Sequence, residues 1–255
     1  MASLAACTDD DRTGPAADAG QDSGTDTGTD ADSDSDADGG TDTDTDTDTG
    51  PGDKATWISA GGSHTCAVIE GGYVKCWGYG QFGALGYGLT LTDDTDADTS
   101  LPSTLPFVPV GAAVKEIDAG GYHTCALLEN GDAKCWGYNA SGQLGVETGP
   151  YETIGEYDEP SSYAPIDFGG AKVTQLVAAE GNFTIALLEG GEVDCVGACW
   201  GGEGEMALGG PATQVCAGSN HVCTVLGSGE VYCWGLGQYG ALGYGDTDDV
   251  SDPMG

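Results

Sequence analysis

Positive charge is what this sequence has least of: 6 Lys and Arg stand against 42 Asp and Glu, a formal charge of -36 over 255 residues. Nucleic-acid binding draws mainly on neutralising phosphates, and Lys54, Lys75, Lys115, Lys134 and Lys172 are too scattered to form a basic stripe. Long apolar runs are missing as well. No stretch approaches the roughly 18–20 apolar residues that a membrane-crossing helix requires. Nucleophile elbow, phosphate-binding glycine loop, dinucleotide fingerprint and His-Glu-x-x-His motif are all absent, so no catalytic residue, cofactor or metal ligand is expected.

Aromatic and large aliphatic side chains are missing from Thr8 to Asp53, which is almost wholly Asp, Thr, Ser, Gly and Ala. Such a stretch cannot bury enough surface to offset the entropy of ordering, so residues 8–53 are expected to form a disordered acidic tether. Within it, Asp34-Ser-Asp-Ala-Asp38-Gly39 matches the first half of a calcium loop. The position that should hold a bidentate Glu is Thr45, and the Asp-Thr alternation runs well past the match, so a charge-stretched linker is expected instead of a calcium site. Ahead of the tether, Leu4-Ala5-Ala6-Cys7 resembles the lipobox of bacterial lipoproteins. That resemblance implies lipidation at Cys7, an exported protein at the outer membrane, cell surface or periplasm, and residues 1–7 as the remnant of a signal whose start lies upstream.

From about residue 54 the composition changes: all five Trp, all three His and nine of the ten Cys lie there. The segment Ile58-Ser-Ala-Gly-Gly-Ser-His-Thr-Cys66 leads through a glycine turn to Lys75-Cys-Trp-Gly78, and it recurs from Ile117 to Gly137 and from Val215 to Gly235. A weaker copy runs from Leu176 through Thr184-Ile-Ala-Leu-Leu188 to Cys199-Trp200-Gly201, with a hairpin read as four residues longer. Each unit closes on a glycine motif, such as Gln81-Phe-Gly-Ala-Leu-Gly86. Short β-branched and aromatic runs separated by glycine turns are hairpins. Cys66 and Cys76, Cys125 and Cys135, and Cys223 and Cys233 each lie symmetrically about such a turn, which places them opposite one another across an antiparallel ladder, within disulfide reach. Cys195, Cys199 and Cys216 are left over, an odd set that allows one irregular bridge, in any of three connectivities, and one free thiol.

The glycine pair before His-Thr, the Trp-Gly after the second strand and the Gly-Gln-Leu-Gly ending are similar to repeats of the regulator of chromosome condensation family. The resemblance implies an all-β propeller, commonly about seven blades of four strands around a central channel. Its units fall at about 56–113, 114–172, 173–212 and 213–255 of a repeat region spanning 54–255. Four units do not complete such a ring, so an incomplete ring, part of a longer propeller, is expected. The family name also brings an alternative function, guanine-nucleotide exchange or chromatin association, which the paired cysteines and acidic surface disfavour.

His64, His123 and His221 share one repeat position, with Phe183 in the third unit, and are expected to pack beneath the hairpins; Trp77, Trp136, Trp200 and Trp234 are expected to form layers between blades. Recognition is expected from the non-repeating inserts, Leu89 to Ala113 and Val146 to Ala171, the second carrying Tyr151, Tyr157 and Tyr163 among carboxylates. The expected role is a non-enzymatic binding or scaffold protein whose partner is a protein or glycan, with membrane contact only through Cys7.

Overall fold

The computed structural model describes residues 54–88, 97–98, 101–148 and 152–253. The expected lipidation residue Cys7, the expected tether and Tyr151 lie outside the described residues. Four antiparallel sheets follow one another along the chain. The first contains β1 (Ala55–Ala60), β2 (His64–Ile69), β3 (Tyr73–Tyr79) and the two-residue β4 (Ala97–Asp98). The second contains β5 (Val114–Ala119), β6 (His123–Leu128), β7 (Ala133–Tyr138) and β8 (Thr153–Ile154). The third contains β9 (Val173–Ala178), β10 (Phe183–Leu188), β11 (Val193–Gly197) and β12 (Gly204–Glu205). The fourth contains β13 (Ala212–Ala217), β14 (His221–Leu226) and β15 (Val231–Gly235), with a single bridge from Gly235 to Val250 in place of a fourth strand. Each sheet is a blade, and its strands are paired in sequence order.

The tight turn between the second and third strands of blade 1 needs left-handed backbone at Gly71 (φ 94°) and Gly72 (φ 80°), which a side chain would oppose. It sets Cys66 directly opposite Cys76; the same register sets Cys125 opposite Cys135 and Cys223 opposite Cys233. All three pairs are disulfides, with Cα atoms 4.1 Å apart. The Tyr87 hydroxyl accepts from Cys76 N–H at 3.0 Å and donates to its carbonyl at 2.9 Å. That backbone therefore points away from Cys66, so the two cysteines form a non-hydrogen-bonded pair, the closer kind of antiparallel pairing. Tyr244 caps Cys233 in the same way at 2.9 Å.

Blade 3 departs from the expected alignment. Ile185 lies opposite Cys195, and Thr184 opposite Val196. The hairpin is as long as the others, and the extra residues fall after it. Val196, not Trp200, holds the rung occupied by Trp77, Trp136 and Trp234. With Ile185 as its neighbour across the ladder, Cys195 bridges instead to Cys199, Cα atoms 6.1 Å apart. The expected free thiol is not found: no described cysteine is free. Matching Cys-Trp-Gly as a string misplaced the repeat by four residues, because strand register follows the turn and not the tripeptide.

Side chains alternate along each strand, so one face of a blade meets the next blade and the other meets the previous one. Trp136, fully buried, reaches back to donate its indole N–H to the Ala84 carbonyl at 3.0 Å. Trp57 reaches forward to the Ile117 carbonyl at 2.9 Å. Backbone nests on backbone where the first turns of successive blades meet: Gly62 N–H donates to Gly120 O at 3.1 Å, and Gly121 N–H to Ala179 O at 3.4 Å. A Cβ at Gly120 would stand 2.6 Å from Ala179 O and 2.8 Å from the His123 ring, with rigid backbone on one side. Gly120→Ala is expected to lower stability by about 2 kcal/mol or more through overpacking. Gly210→Ala, where a Cβ meets nothing within 4 Å, should stay within about 0.5 kcal/mol of the parent in urea unfolding. Equal midpoints for the two variants would sink this account of the glycine pair.

Candidate binding surface

Two of the three repeat histidines, His64 and His123, are ties between blades. His64 Nε2 lies 2.8 Å from Thr124 Oγ1, and His123 Nε2 lies 3.0 Å from Thr184 Oγ1. Both hydroxyl protons are already committed, Thr124 to the Ala84 carbonyl and Thr184 to the Gln143 carbonyl, each at 2.8 Å. Each imidazole must therefore donate from Nε2, leaving Nδ1 without a proton. His123 Nδ1 is buried with no hydrogen-bond partner, so a second proton there would have no acceptor. Burial accordingly depresses His64 to about 4. Burial, and then the neighbouring His64, depress His123 to about 3. These rings are neutral ties at physiological pH, unsuited to act as a base. At the third junction Phe183 and Val222, both buried, replace the polar pair with an apolar one.

Four of the five lysines are likewise taken up. Lys134 is buried and donates to the carbonyls of Val110 (3.1 Å) and Pro160 (3.2 Å), pinning both inserts beneath blade 2. Buried Lys75 donates to Ser103 O at 3.3 Å and lies 5.3 Å from the Phe107 ring centre. Lys115 pairs with Glu116 at 3.0 Å and Lys172 with Asp132 at 2.6 Å. Among the described residues no group of three or more His, Cys, Asp or Glu is placed to hold a metal, and no helix is long and apolar enough to cross a membrane.

Asp118 lies where three blades meet. It accepts from Ser59 Oγ at 2.9 Å and from Ala178 N–H at 2.8 Å. Burial outweighs those bonds and pushes its carboxyl up to about 6.

Of the three tyrosines singled out in the sequence, Tyr163 belongs to the scaffold. Its hydroxyl donates to Asp158, and that bond together with burial raises it to about 12. Asp158 also accepts from Gly155 N–H at 3.0 Å, folding the insert on itself. Tyr157, 54% exposed, projects from the same insert. The insert docks on blade 1, where Gly88 N–H donates to Gly155 O at 3.0 Å and Gly83 leaves no room for a side chain against Gly155.

Beside that contact lies an aromatic group the sequence reading did not single out. The Phe82 ring packs edge-on to Tyr122, centroids 5.8 Å apart, and tilted against Tyr138 at 4.7 Å. Tyr122 is 45% exposed. Phe82 sits at φ 60°, a left-handed conformation costing a bulky residue about 1 kcal/mol or more. The signal was available: Tyr122 stands where the other units carry Ser63, Asn182 and Asn220, and Phe82 stands in the closing motif where blade 2 carries Ser141.

Four consecutive antiparallel blades with one shared register, tied by equivalent side chains at each junction, define a protein of the repeat-propeller class. Models of the regulator of chromosome condensation (RCC1) repeat match residues 58–84, 114–143 and 212–241, and in a second form 72–127 and 228–255. The chain belongs to the RCC1-repeat family. It is 30% identical over 200 residues to RCC1 domain-containing protein 1 of Homo sapiens, a match covering 78% of this chain and 49% of that protein. It is 31% identical over 216 residues to the ultraviolet-B receptor UVR8 of Arabidopsis thaliana, covering 78% and 45%. The chain thus spans about half the length of these relatives, both eukaryotic. Its fold resembles that of yeast RCC1 (Prp20), solved bound to Kap60, with a TM-score of 0.59 and 23% identity over 77% of this chain and 47% of that one.

Proposed function

We propose that this chain is a non-enzymatic protein-binding module whose recognition surface is the aromatic group of Phe82, Tyr122 and Tyr138 with the neighbouring insert that bears Tyr157. The observation that carries the reading is the strained, partly exposed Phe82 cluster on a disulfide-stapled scaffold, since rigid aromatic side chains bind at low entropic cost. Support for a protein partner comes from the similar fold of yeast RCC1 (Prp20), which was solved bound to Kap60.

The paired cysteines and the Leu4-Ala5-Ala6-Cys7 segment support an exported form anchored through a lipid on Cys7. Photo-crosslinking residues placed at Tyr122 and Tyr157 should each trap the same protein on the surface of the producing cell, and one placed at exposed Leu101 should not. Tyr122→Ala with Tyr157→Ala should weaken that binding at least about tenfold while leaving thermal unfolding unchanged. Equal crosslinking at all three sites would remove the surface assignment. Mass spectrometry of the mature protein tests the anchor separately: diacylglycerol on Cys7 is expected, and an unlipidated or disulfide-bonded Cys7 would overturn it.

A further inference from the structure

Two partly exposed aromatic groups among the described residues differ in the charge beside them. Tyr73, 46% exposed, stacks on Phe107 with ring centroids 4.7 Å apart, and the chain supplies its own cation there, since Lys75 Nζ lies 5.3 Å from the Phe107 centroid. Tyr122, 45% exposed, packs on Phe82, which packs on Tyr138, and no described lysine lies over those rings. Carboxylates lie beside them instead.

Thr153 lies directly across the ladder from Tyr138, so their side chains share a face of blade 2. The Thr153 hydroxyl donates to Glu156 Oε2 at 3.1 Å, which holds that carboxylate on the Tyr138 side. Glu156 also lies close to Phe82 along the chain contact: a Cβ at the adjoining Gly83 would stand 2.4 Å from Glu156 N. Exposed Glu152 borders Thr153, and its carbonyl accepts from Asn139 N–H at 2.8 Å. Phe82 (φ 60°) and Glu152 (φ 53°) thus flank Tyr138, and both hold left-handed backbone, a strain that clusters at binding sites. No described cation pairs with either carboxylate, since the surface ion pairs engage Glu116 and Asp132. At the next junction the positions of Phe82 and Tyr122 carry Ser141 and Asn182, so packing blade on blade does not call for this arrangement.

Resting on the binding surface proposed above, we infer that its occupant is an arginine-bearing segment of the partner protein. The exposed Tyr122 ring offers a face on which a flat guanidinium can stack, and Glu156 and Glu152 offer carboxylates to which its N–H fork can donate. Lysine has neither the plane nor the fork. The net charge of -36 draws such a segment toward the chain, and the aromatic group gives it one place to settle.

The test titrates the full chain, its tyrosine rings isotope-labelled for NMR, with a Gly-Arg repeat peptide at about 0.15 M salt. The Tyr122 and Tyr138 signals should shift and saturate while those of Tyr73 stay in place, which separates the site from general attraction to an acidic chain. A Gly-citrulline peptide, similar in shape but neutral, should shift neither, and a Gly-Lys peptide should bind at least about threefold more weakly. Glu156→Gln keeps an acceptor for Thr153 and should raise the dissociation constant at least about fivefold. Glu189→Gln, the same loss of charge at an exposed position of blade 3, should leave it unchanged. Tyr73 shifting in step with Tyr122, a citrulline or lysine peptide binding as tightly, or equal weakening by the two variants would overturn the inference. A protein trapped at Tyr122 through a segment without arginine would overturn it while leaving the surface in place; no trapping at Tyr122 would remove the surface and this inference with it.

Discussion

Reducing the described disulfides is expected to unfold the blades at room temperature. Each of Cys66–Cys76, Cys125–Cys135 and Cys223–Cys233 closes a loop with a sequence separation of 10. Chain-entropy reasoning assigns such a loop about 3 kcal/mol, so three remove roughly 8–9 kcal/mol, comparable to the whole stability of a typical domain at about 5–15 kcal/mol. The short strands make the dependence plausible, since blade 1 adds only Ala97–Asp98 as its fourth strand and blade 4 only the Gly235–Val250 bridge. Replacing Cys125 and Cys135 together by Ala should cost about 3 kcal/mol, read as a lower urea midpoint at unchanged slope. If the fully reduced protein keeps the midpoint of the oxidised one, the staples are not what holds the blades.

Acid should weaken the fold through the two buried histidines. The sign follows from their depression: folded His64 and His123 stay neutral down to about 4 and about 3, while the unfolded chain takes up protons near 6.5. Their contribution is complete above pH 6.5 and is lost as pH falls toward those lower values. Each pH unit is worth about 1.4 kcal/mol per group, so at pH 4.5 the pair costs about 5 kcal/mol. Asp118, raised to about 6, acts the other way, because its folded form gains a proton before the unfolded chain does; its stabilisation grows as pH falls from about 6 toward 3.8 and offsets part of the loss.

The third junction supplies a replacement. His123→Phe with Thr184→Val copies the buried Phe183 and Val222 pair. This double variant should lie within about 1 kcal/mol of the parent at neutral pH and be about 2–3 kcal/mol more stable near pH 4.5, measured by urea unfolding across the range. Acid curves that superimpose on the parent's would show that His123 does not set the acid limit.

How much was legible beforehand differs element by element. The Cys66 and Cys76 spacing about Gly71 prescribed both hairpin and bridge, because turn length fixes antiparallel register. The same reasoning failed for Cys199 and Trp200, since the Cys-Trp-Gly string there follows the strand end at Gly197. Tyr163 stood in the sequence as an equal of Tyr157, and only its bond to Asp158 separates scaffold from surface.

Composition, repeat period and turn chemistry are local properties, so the sequence by itself determined the class of fold, the three regular disulfides and the want of a basic surface. Contacts between residues some 60 positions apart are not local. Tertiary structure alone decided that His64 ties to Thr124, that Asp118 joins three blades, and that Phe82 and Tyr122 form one aromatic group. The reason is that equivalent residues in a repeat read alike, and what distinguishes them is what the neighbouring blade places against them.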